Sequence, residues 1–352
     1  MRVLLTGASG FIGRAIGEQL RARGDEVVPV DALIPQAHPP DVEPADDVHR
    51  LDVRAALDWV ELFDDVDVVC HQAAMVGAGV TVADMPLYAA HNDLATAALL
   101  AAMGEAGASN LVLASSMVVY GEGRYRCPTH GLQTPGARSL EALDAGDFAN
   151  VCPQCARFLD WELVPEHAAL DPRSSYAVSK LAQELYASSW ARQAAGRVIA
   201  LRYHNVYGPH MPQDTPYSGV AAIFRSSLER GESPRVFEDG AQMRDFVHVD
   251  DVARANLLSI DAVAGRAPGA ATAYNICSGW PVSIREVATH VTAGAKLKAD
   301  LTITGEFRTG DVRHIVASPE KAVAELEFRA EIPPAVGLAD FATAPLRTTT
   351  SP

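Results

Sequence analysis

The stretch Gly7-Ala8-Ser9-Gly10-Phe11-Ile12-Gly13 decides the fold of this chain. It follows the short apolar run Val3-Leu4-Leu5 and opens a segment, Phe11 to Arg23, with the spacing of an amphipathic helix. A glycine-rich turn between a strand and a helix leaves backbone N–H groups and the positive end of the helix free to bind a diphosphate. The GxxGxxG spacing alone also fits a plain tight turn, so other parts of the chain must show whether it is a dinucleotide site.

The acidic residue Asp31 supports a dinucleotide site. It closes the second predicted strand, Val27 to Val30. A carboxylate at this position accepts hydrogen bonds from both ribose hydroxyls of NAD and repels the 2′-phosphate of NADP. We therefore predict that the chain binds NAD rather than NADP.

The first half of the chain alternates short β-branched runs with longer Ala- and Leu-rich helical patterns, which is typical of a parallel sheet covered by helices. We predict an α/β fold: a Rossmann doubly wound parallel sheet, a smaller mixed α/β substrate lobe, and an inserted zinc-ribbon-like module. The predicted boundaries are 1–122 and 166–205 for the NAD-binding domain (with 246–258 returning to it), 123–165 for the insertion, 206–245 and 259–341 for the substrate lobe, a loop at 35–47, and a flexible tail at 342–352.

The composition excludes several classes of protein. The 352 residues include 29 Lys and Arg against 44 Asp and Glu, a net charge of −15, which argues against a nucleic-acid or anionic-membrane binder. Apolar runs such as Ala95 to Met103 are about half the ~20 residues needed to span a bilayer. The chain begins as a strand rather than as a charged leader with an apolar stretch, and its five cysteines cannot all pair. We expect no export and a reducing, cytoplasmic location.

Motifs along nearly the whole chain resemble the extended short-chain dehydrogenase/reductase family, which includes nucleotide-sugar epimerases and dehydratases. They are Gly7/Gly10/Gly13, Asp31, Leu51-Asp52-Val53, His71-Gln72-Ala73-Ala74, Asn92, Ser115-Ser116 before Tyr120-Gly121, Tyr176-x-x-x-Lys180, Asn205-Val206-Tyr207-Gly208-Pro209, Arg244 to Asp251, and Arg308-Thr309-Gly310-Asp311. The resemblance implies a tightly bound NAD. It implies that the cofactor is held by Gly7, Gly10, Phe11, Ile12, Gly13, Asp31, Asp52, Val53, Gln72, Ala73, Ala74, Asn92, Ser115, Tyr176, Lys180 and Tyr203.

The same resemblance assigns catalysis to Ser116, Tyr176 and Lys180. Tyr176 and Lys180 are spaced i, i+4, so on a helix they share one face and the ammonium group can stabilise a phenolate. For Tyr176 to act as a base near neutral pH, its pKa must fall by roughly three units, or about 4 kcal/mol. The family resemblance implies that Tyr176 takes the proton of a sugar hydroxyl while hydride leaves the same carbon for NAD, giving a 4-keto sugar.

The next two positions, Met117 and Val118, restrict the reaction. The 4,6-dehydratases of the family carry an Asp and a Glu there, related decarboxylases carry a Glu at the second position, and GDP-fucose-synthase-like enzymes carry a Cys. Neither Met117 nor Val118 can transfer a proton. We therefore favour oxidation and re-reduction at one carbon, which is 4-epimerisation. His204 and His210 are further candidates for proton donors or for residues that only shape the pocket.

Two other functions stay open. One is a net NAD(P)H-dependent 4-ketoreductase, which would use the same three residues. The other is a non-catalytic NAD-binding sensor or interaction protein. The presence of Ser116, Tyr176 and Lys180 together argues against it, because such a protein does not need them.

The acidic chain must place cations locally if it binds a nucleotide-diphosphate sugar, and arginine binds phosphate through two parallel hydrogen bonds. By resemblance, Arg244 and Arg308 clamp the diphosphate, Asn205 contacts a phosphate, and Val236-Phe237 line the base. Ser116 and Asp311 complete the predicted substrate residues.

The insertion carries two short turns, Cys127-Pro128-Thr129-His130 and Cys152-Pro153-Gln154-Cys155. Each resembles a zinc knuckle, and Cys127, His130, Cys152 and Cys155 together supply the four ligands of a closed structural zinc site. The alternatives are unrelated thiols or a redox pair at 152 and 155. A Ser-Tyr-Lys epimerase with an insert at this place is similar to dTDP-L-rhamnose 4-epimerases, whereas UDP-hexoses or UDP-uronic acids are other candidate substrates. The helices starting near Asn92 and Tyr176 carry Ala- and Leu-rich faces, and in the family that the chain resembles the equivalent helices pack across a two-fold axis, so the resemblance implies a homodimer.

Overall fold

A computed structural model of the protein describes residues 1–35, 38, 47–77, 81–213, 219–296 and 300–347. The strands, in chain order, are β1 (Arg2–Thr6), β2 (Glu26–Asp31), β3 (His49–Arg50), β4 (Val68–His71), β5 (Asn110–Ser116), β6 (Arg124–Cys127), β7 (Gly131–Gln133), β8 (Asp160–Glu162), β9 (Arg197–Tyr203), β10 (Asn205–Tyr207), β11 (Arg235–Val236), β12 (Met243–His248), β13 (Ala271–Ile276), β14 (Pro281–Ser283) and β15 (Thr302–Ile303).

The α-helices are α1 (Phe11–Arg23), α2 (Met85–Tyr88), α3 (Ala95–Ala106), α4 (Leu140–Asp144), α5 (Ser175–Ala194), α6 (Val220–Glu229), α7 (Val249–Val263), α8 (Ile284–Gly294), α9 (Glu320–Leu326) and α10 (Pro334–Phe341). Three 3₁₀ segments (Val53–Phe63, Val82–Asp84 and Met117–Tyr120) and a π-helical turn at Ala89–Leu94 complete the set.

The main sheet of the described residues has seven parallel strands in the order β13-β9-β5-β4-β1-β2-β3. Its inner strands bury both faces, as a parallel sheet with helices on each side requires. The strand order reverses between β1 and β4, and ligands of such sheets bind at the carboxyl ends of strands beside this switch point. The predicted α/β Rossmann fold is confirmed.

Smaller sheets lie outside the main one. Strands β10, β12 and β14 form one, β11 pairs with β15, and the antiparallel set β7-β6-β8 lies wholly within the predicted insertion. Helices α6, α8 and α10 pack together with β12 around a separate apolar cluster that includes Tyr207, Phe224 and Phe341. The cavities between these elements and the main sheet are where a substrate can bind.

Two parts of the chain differ from the sequence-based expectation. The segment predicted as a helix from Arg54 to Phe63 is 3₁₀ with non-helical backbone at Ala55 and Trp59, since Trp59 and Phe63 stack at 5.4 Å and bury against the sheet. The predicted flexible tail at 342–352 is ordered as far as Arg347, because its backbone pairs with residues 210–213. Residues 348–352 and most of the predicted loop at 35–47 lie outside the described residues.

The described residues also bear on membrane insertion. Across the described ranges, the helices are all too short or too polar to span a lipid bilayer.

Candidate active site

The glycine-rich turn forms the floor of a cavity of about 320 Å³. Gly7 has a positive φ of 68°, and a Cβ atom on Gly13 would lie 2.0 Å from the Gly7 carbonyl oxygen, so both positions require glycine. Helix α1 begins at Phe11 with no side-chain cap, which leaves its first N–H groups directed at the cavity. The arrangement fits the diphosphate of a dinucleotide, the group that an uncapped helix N-terminus stabilises.

A second, smaller cavity of about 110 Å³ continues from Gly7 and Gly10 toward Asp31, Asp52 and Val53. The Asp31 carboxylate accepts hydrogen bonds from the backbone N–H groups of Ser9 and Leu33, both at 2.9 Å. Asp52 caps the following 3₁₀ segment and forms an ion pair with Arg54 at 2.6 Å. The cavity therefore brings Asp31, Asp52 and Val53 together next to the glycine-rich turn.

Most of the predicted cofactor residues line these two cavities. They are Gly7, Gly10, Phe11, Ile12, Gly13, Asp31, Asp52, Val53, Gln72, Ala73, Ala74, Ser115, Tyr176, Lys180 and Tyr203. Asn92 is not among the residues that line these two cavities. Its amide oxygen accepts from the Met75 N–H, and its amide nitrogen donates to the Met75 carbonyl oxygen and, at 2.8 Å, to the Ser179 hydroxyl. Its side chain therefore fixes the segment that forms the cavity wall.

Ser116, Tyr176 and Lys180 come together beside the first cavity. Ser116 ends β5 and its hydroxyl interacts with the Tyr176 hydroxyl, while Tyr176 and Lys180 lie on the first turns of α5. The Lys180 ammonium group is 6.0 Å from the centre of the Tyr176 ring and donates to the Ala114 carbonyl oxygen at 2.9 Å. Ser174 caps α5 by accepting from the Ala177 N–H, which sets the start of the helix and hence the position of the pair.

Burial controls the protonation of the pair. It raises the pKa of Tyr176 to about 12, against the opposing effect of the bond with Ser116. It also lowers the pKa of Lys180 to about 7, although the nearby Glu184 carboxylate acts in the opposite direction. The lowering of the Tyr176 pKa that catalysis requires is therefore not supplied by these residues alone.

A buried polar network behind this cluster was missed in the sequence. Arg202 forms a two-pronged ion pair with Glu184 at 2.9 and 2.7 Å, and Glu184 accepts the Ser115 hydroxyl at 2.5 Å. Arg202 also donates to the Tyr120 hydroxyl at 2.8 Å. Glu184 follows Lys180 by one helical turn, and that spacing was the available signal.

Most of the predicted substrate residues line a neighbouring cavity of about 720 Å³, but Ser116 and Val236 do not. Asn205 borders both this cavity and the cofactor cavity. Arg308 lies over the Phe237 ring at 5.2 Å, and Arg244 donates to the carbonyl oxygens of Met243, Val312 and Arg313. Asp311 is also at the wall, whereas Val236 is fully buried behind Phe237.

The insertion contributes a residue that the sequence did not reveal. Arg138 is buried and pairs with Glu238, a wall residue of the substrate cavity, at 2.8 Å. It also donates to the backbone carbonyl oxygens of Asp311 at 2.7 Å and Phe148 at 3.1 Å. Arg313 holds the other Glu238 oxygen at 2.6 Å. The insertion is thus bonded to the wall of the substrate cavity.

His204 and His210 have different environments. Both ring nitrogens of the buried His204 lack a hydrogen-bond partner in the described part of the chain, and burial lowers its pKa to about 3. His210 does not line the cavity that Tyr176 lines, and its backbone N–H donates to the Pro345 carbonyl at 2.6 Å. Met117 contacts Asn205 through its sulfur, at 3.7 Å from the amide nitrogen.

The four predicted metal ligands meet at one point. The sulfurs of Cys127, Cys152 and Cys155 and a ring nitrogen of His130 all lie within 4.8 Å of one another. The sulfur pair Cys127–Cys155 is 3.8 Å apart, and His130 Nδ1 lies 3.7 and 3.4 Å from Cys127 and Cys152. Four ligands at zinc bonding distances are about 3.5–3.8 Å apart in a tetrahedron, so these three separations are compatible with zinc.

Comparisons with known proteins agree with this site. The chain matches the family described as "Epimerase: NAD dependent epimerase/dehydratase family" over residues 3–138 and 160–277. It is 33% identical to a dTDP-L-rhamnose 4-epimerase from Burkholderia thailandensis, over 93% of this chain and 90% of that protein.

Solved structures give the same result. A UDP-glucose 4-epimerase from Thermus thermophilus, in complex with NAD, is 30% identical, with a TM-score of 0.75 over 97% of this chain and 98% of the other. A UDP-N-acetylglucosamine 4-epimerase from Methanobrevibacter ruminantium, in complex with UDP-N-acetylmuramic acid, is 25% identical, with a TM-score of 0.76 over 97% and 96%. The predicted family is confirmed: the chain belongs to the NAD dependent epimerase/dehydratase family.

Proposed function

We propose that this protein is an NAD-dependent nucleotide-sugar 4-epimerase. The observation that carries the proposal is that Tyr176, bonded to Ser116, and Lys180 line a cavity with the glycine-rich turn, and that this cavity shares Asn205 with a larger one walled by Arg244 and Arg308. The relatives named above are 4-epimerases of nucleotide sugars. Met117 and Val118 offer no proton-transferring group, so elimination of a sugar hydroxyl lacks its acid and base.

The residues of the chain have separate tasks in this reaction. When bound, NAD supplies a hydride acceptor and, in its oxidised form, a positive charge that favours a phenolate nearby. Tyr176 takes the proton of the substrate hydroxyl and later returns it, and Ser116 holds the same oxygen by a hydrogen bond. Lys180 stabilises the phenolate. Burial of this cluster strengthens each of these interactions because water does not screen them.

The sugar is a dTDP-6-deoxyhexose of the rhamnose type in our proposal. The B. thailandensis relative matches 93% of this chain at 33% identity. The Phe237 ring, which packs against Arg308, gives a flat surface for a pyrimidine base next to the arginines proposed to bind the diphosphate.

One experiment separates the epimerase from the alternatives. Purified protein is incubated with dTDP-L-rhamnose, UDP-glucose and UDP-glucuronic acid without added cofactor, and C4 inversion is followed by NMR. We expect interconversion with no added NAD(H), and loss of at least ~10³-fold in rate for Tyr176→Phe because the proton carrier is gone. Turnover only with stoichiometric reductant would instead identify a ketoreductase. Absence of any turnover in a protein that retains NAD would favour the sensor.

A structural zinc ion at Cys127, His130, Cys152 and Cys155 is the second part of the proposal. All four tetrahedral positions would be filled by the protein, so the metal would stabilise the insertion and take no part in catalysis. Backbone N–H groups of Thr129 and His130 point at the Cys127 sulfur, and together with the neighbouring Cys152 and His130 they lower its pKa to about 6 against the raising effect of desolvation. Metal analysis is expected to give one zinc per chain, and Cys152→Ser is expected to lose it. A zinc content far below one would contradict this site.

We propose a homodimer from an exposed apolar face on α2, α5 and the π-helical turn before α3. Met85, Val178 and Leu185 on these helices are each more than half exposed, and so is Leu94 on the π-helical turn that precedes α3. Such a patch on one side of a protein is typical of an interface. Light scattering should give a dimer mass for the wild type, and Leu185→Glu should shift it toward the monomer. A monomeric wild type at micromolar concentration would contradict the proposal.

A further inference from the structure

The segment after α10 forms a strap over the cofactor cavity. This C-terminal strap, residues 343–347, runs beside the loop that follows β10. The His210 N–H donates to the Pro345 carbonyl at 2.6 Å, the Arg347 N–H to the Met211 carbonyl at 3.0 Å, and the Gln213 N–H to the Arg347 carbonyl at 2.9 Å. Leu346 packs on the apolar cluster that holds α10. These contacts use backbone and apolar groups, so they position the Arg347 side chain without using its charge.

The Arg347 guanidinium group reaches the glycine-rich turn. One of its terminal nitrogens donates to the Ser9 carbonyl oxygen at 3.1 Å, across 338 positions of sequence. The side chain lines the cofactor cavity together with Gly10 and Phe11, at the uncapped start of α1. Arg347 therefore brings a positive charge to the start of α1, where the geometry fits a diphosphate.

The charge of Arg347 is left without a direct partner. Its Nε is buried and has no hydrogen-bond partner in the described ranges, and within them Arg347 forms no ion pair with a carboxylate. The Asp31 charge acts on it, but the two Asp31 oxygens already accept the Ser9 and Leu33 N–H groups. A partly buried guanidinium whose buried Nε donor is unused is unfavourable alone and favourable beside an anion.

We propose that Arg347 binds the diphosphate of NAD and slows its release, so that the C-terminal strap retains the cofactor between catalytic cycles. This rests on the proposed function, because an epimerase that returns its hydride keeps one cofactor molecule through many turnovers. No motif of the family resemblance includes Arg347. The site is completed from opposite ends of the sequence, by Gly7 to Gly13 and by Arg347.

The test measures retained NAD rather than activity. Wild type, Arg347→Met and Arg347→Lys are purified and dialysed, and NAD released by denaturation is counted per chain. The rate of NAD release is followed by exchange with labelled NAD. A charge-assisted hydrogen bond predicts release about ten- to a hundredfold faster for Arg347→Met, with Arg347→Lys between it and the wild type. Exposed Arg192 at the end of α5 gives the matched control, Arg192→Met, which should retain NAD as the wild type does.

Several results would overturn the inference. One is equal NAD content and release rate for Arg347→Met and wild type. Another is loss of hydrogen-exchange protection at the Arg347 and Gln213 amides in Arg347→Met, since the strap itself would then be the cause. A third is an effect confined to added NADP, which would place Arg347 at a 2′-phosphate. A wild type that binds no NAD would instead defeat the proposed function.

Discussion

Replacement of Arg138 by methionine tests whether the insertion and the substrate cavity form one unit. The side chain is 6% exposed, and its partner Glu238 is 3% exposed. Removing one partner of a buried ion pair costs about 3–5 kcal/mol, and the lower value applies here because Arg313 still neutralises Glu238. The entropy of unfolding for 352 residues is about 0.7 kcal/mol per kelvin, so about 3 kcal/mol lowers Tm by about 4 °C.

The same change should weaken nucleotide binding. Arg138 fixes the Asp311 carbonyl at 2.7 Å, and Asp311 and Glu238 both belong to the cavity wall. A charged hydrogen bond of about 1.5 kcal/mol, if fully coupled to the ligand, corresponds to about a tenfold rise in the Kd of dTDP. Zinc and NAD content should not change, because Arg138 is neither a proposed metal ligand nor part of the cofactor cavity.

The assays are thermal unfolding and calorimetric titration with dTDP, each with a matched control. Arg126 lies in the same insertion but forms a surface ion pair with Glu162, so Arg126→Met should cost less than about 1 kcal/mol and leave dTDP binding unchanged. If Arg138→Met unfolds within about 1 °C of Arg126→Met and binds dTDP equally well, the structural link between insertion and substrate cavity is refuted.

Three further predictions concern the site itself. Burial lowers the pKa of Lys180 to about 7, so from about pH 7.5 to 9.5 the unfolded chain binds a proton that the folded NAD-free protein does not. The free energy of unfolding of the wild type should therefore rise with pH relative to that of Lys180→Met, by at most about 1.4 kcal/mol per pH unit. Urea unfolding that gives a constant difference between the two proteins across this range would contradict the prediction. Asp31→Asn removes the repulsion of a 2′-phosphate, so the ratio of the Kd values for NADP and NAD should fall at least about tenfold by calorimetry, whereas an unchanged ratio would show that Asp31 does not select NAD. Ser116→Ala should lower kcat about 10²–10³-fold with little change in KM, as for loss of one transition-state hydrogen bond, and a kcat within about threefold of wild type would exclude that role.

The sequence predicted those parts of the fold that local patterns determine. The bounds of α1 were predicted correctly because the signals that define them, a preceding glycine, helical spacing of apolar residues and a final arginine, all lie within one short segment. The two cysteine turns were recognisable for the same reason. Contacts such as Glu184 with Arg202, or Arg138 with Glu238, join charged residues far apart in the chain. Helical spacing after Lys180 can indicate Glu184, but it does not identify Arg202 as its partner, because tertiary packing determines which residues meet.

The C-terminal strap also sets the order in which parts of the molecule can open. After α10 has packed, ordering the backbone of residues 343–347 costs about 1–2 kcal/mol of conformational entropy per residue. Among the described residues, detaching them from residues 210–213 breaks three backbone hydrogen bonds, the Ser9 contact and the packing of Leu346, but leaves all seven strands of the main sheet paired. The mouth of the cofactor cavity can therefore open by local unfolding, well below the free energy of global unfolding. Exchange of a spent or wrongly reduced cofactor would follow this route, while the catalytic cluster on β5 and α5 stays assembled.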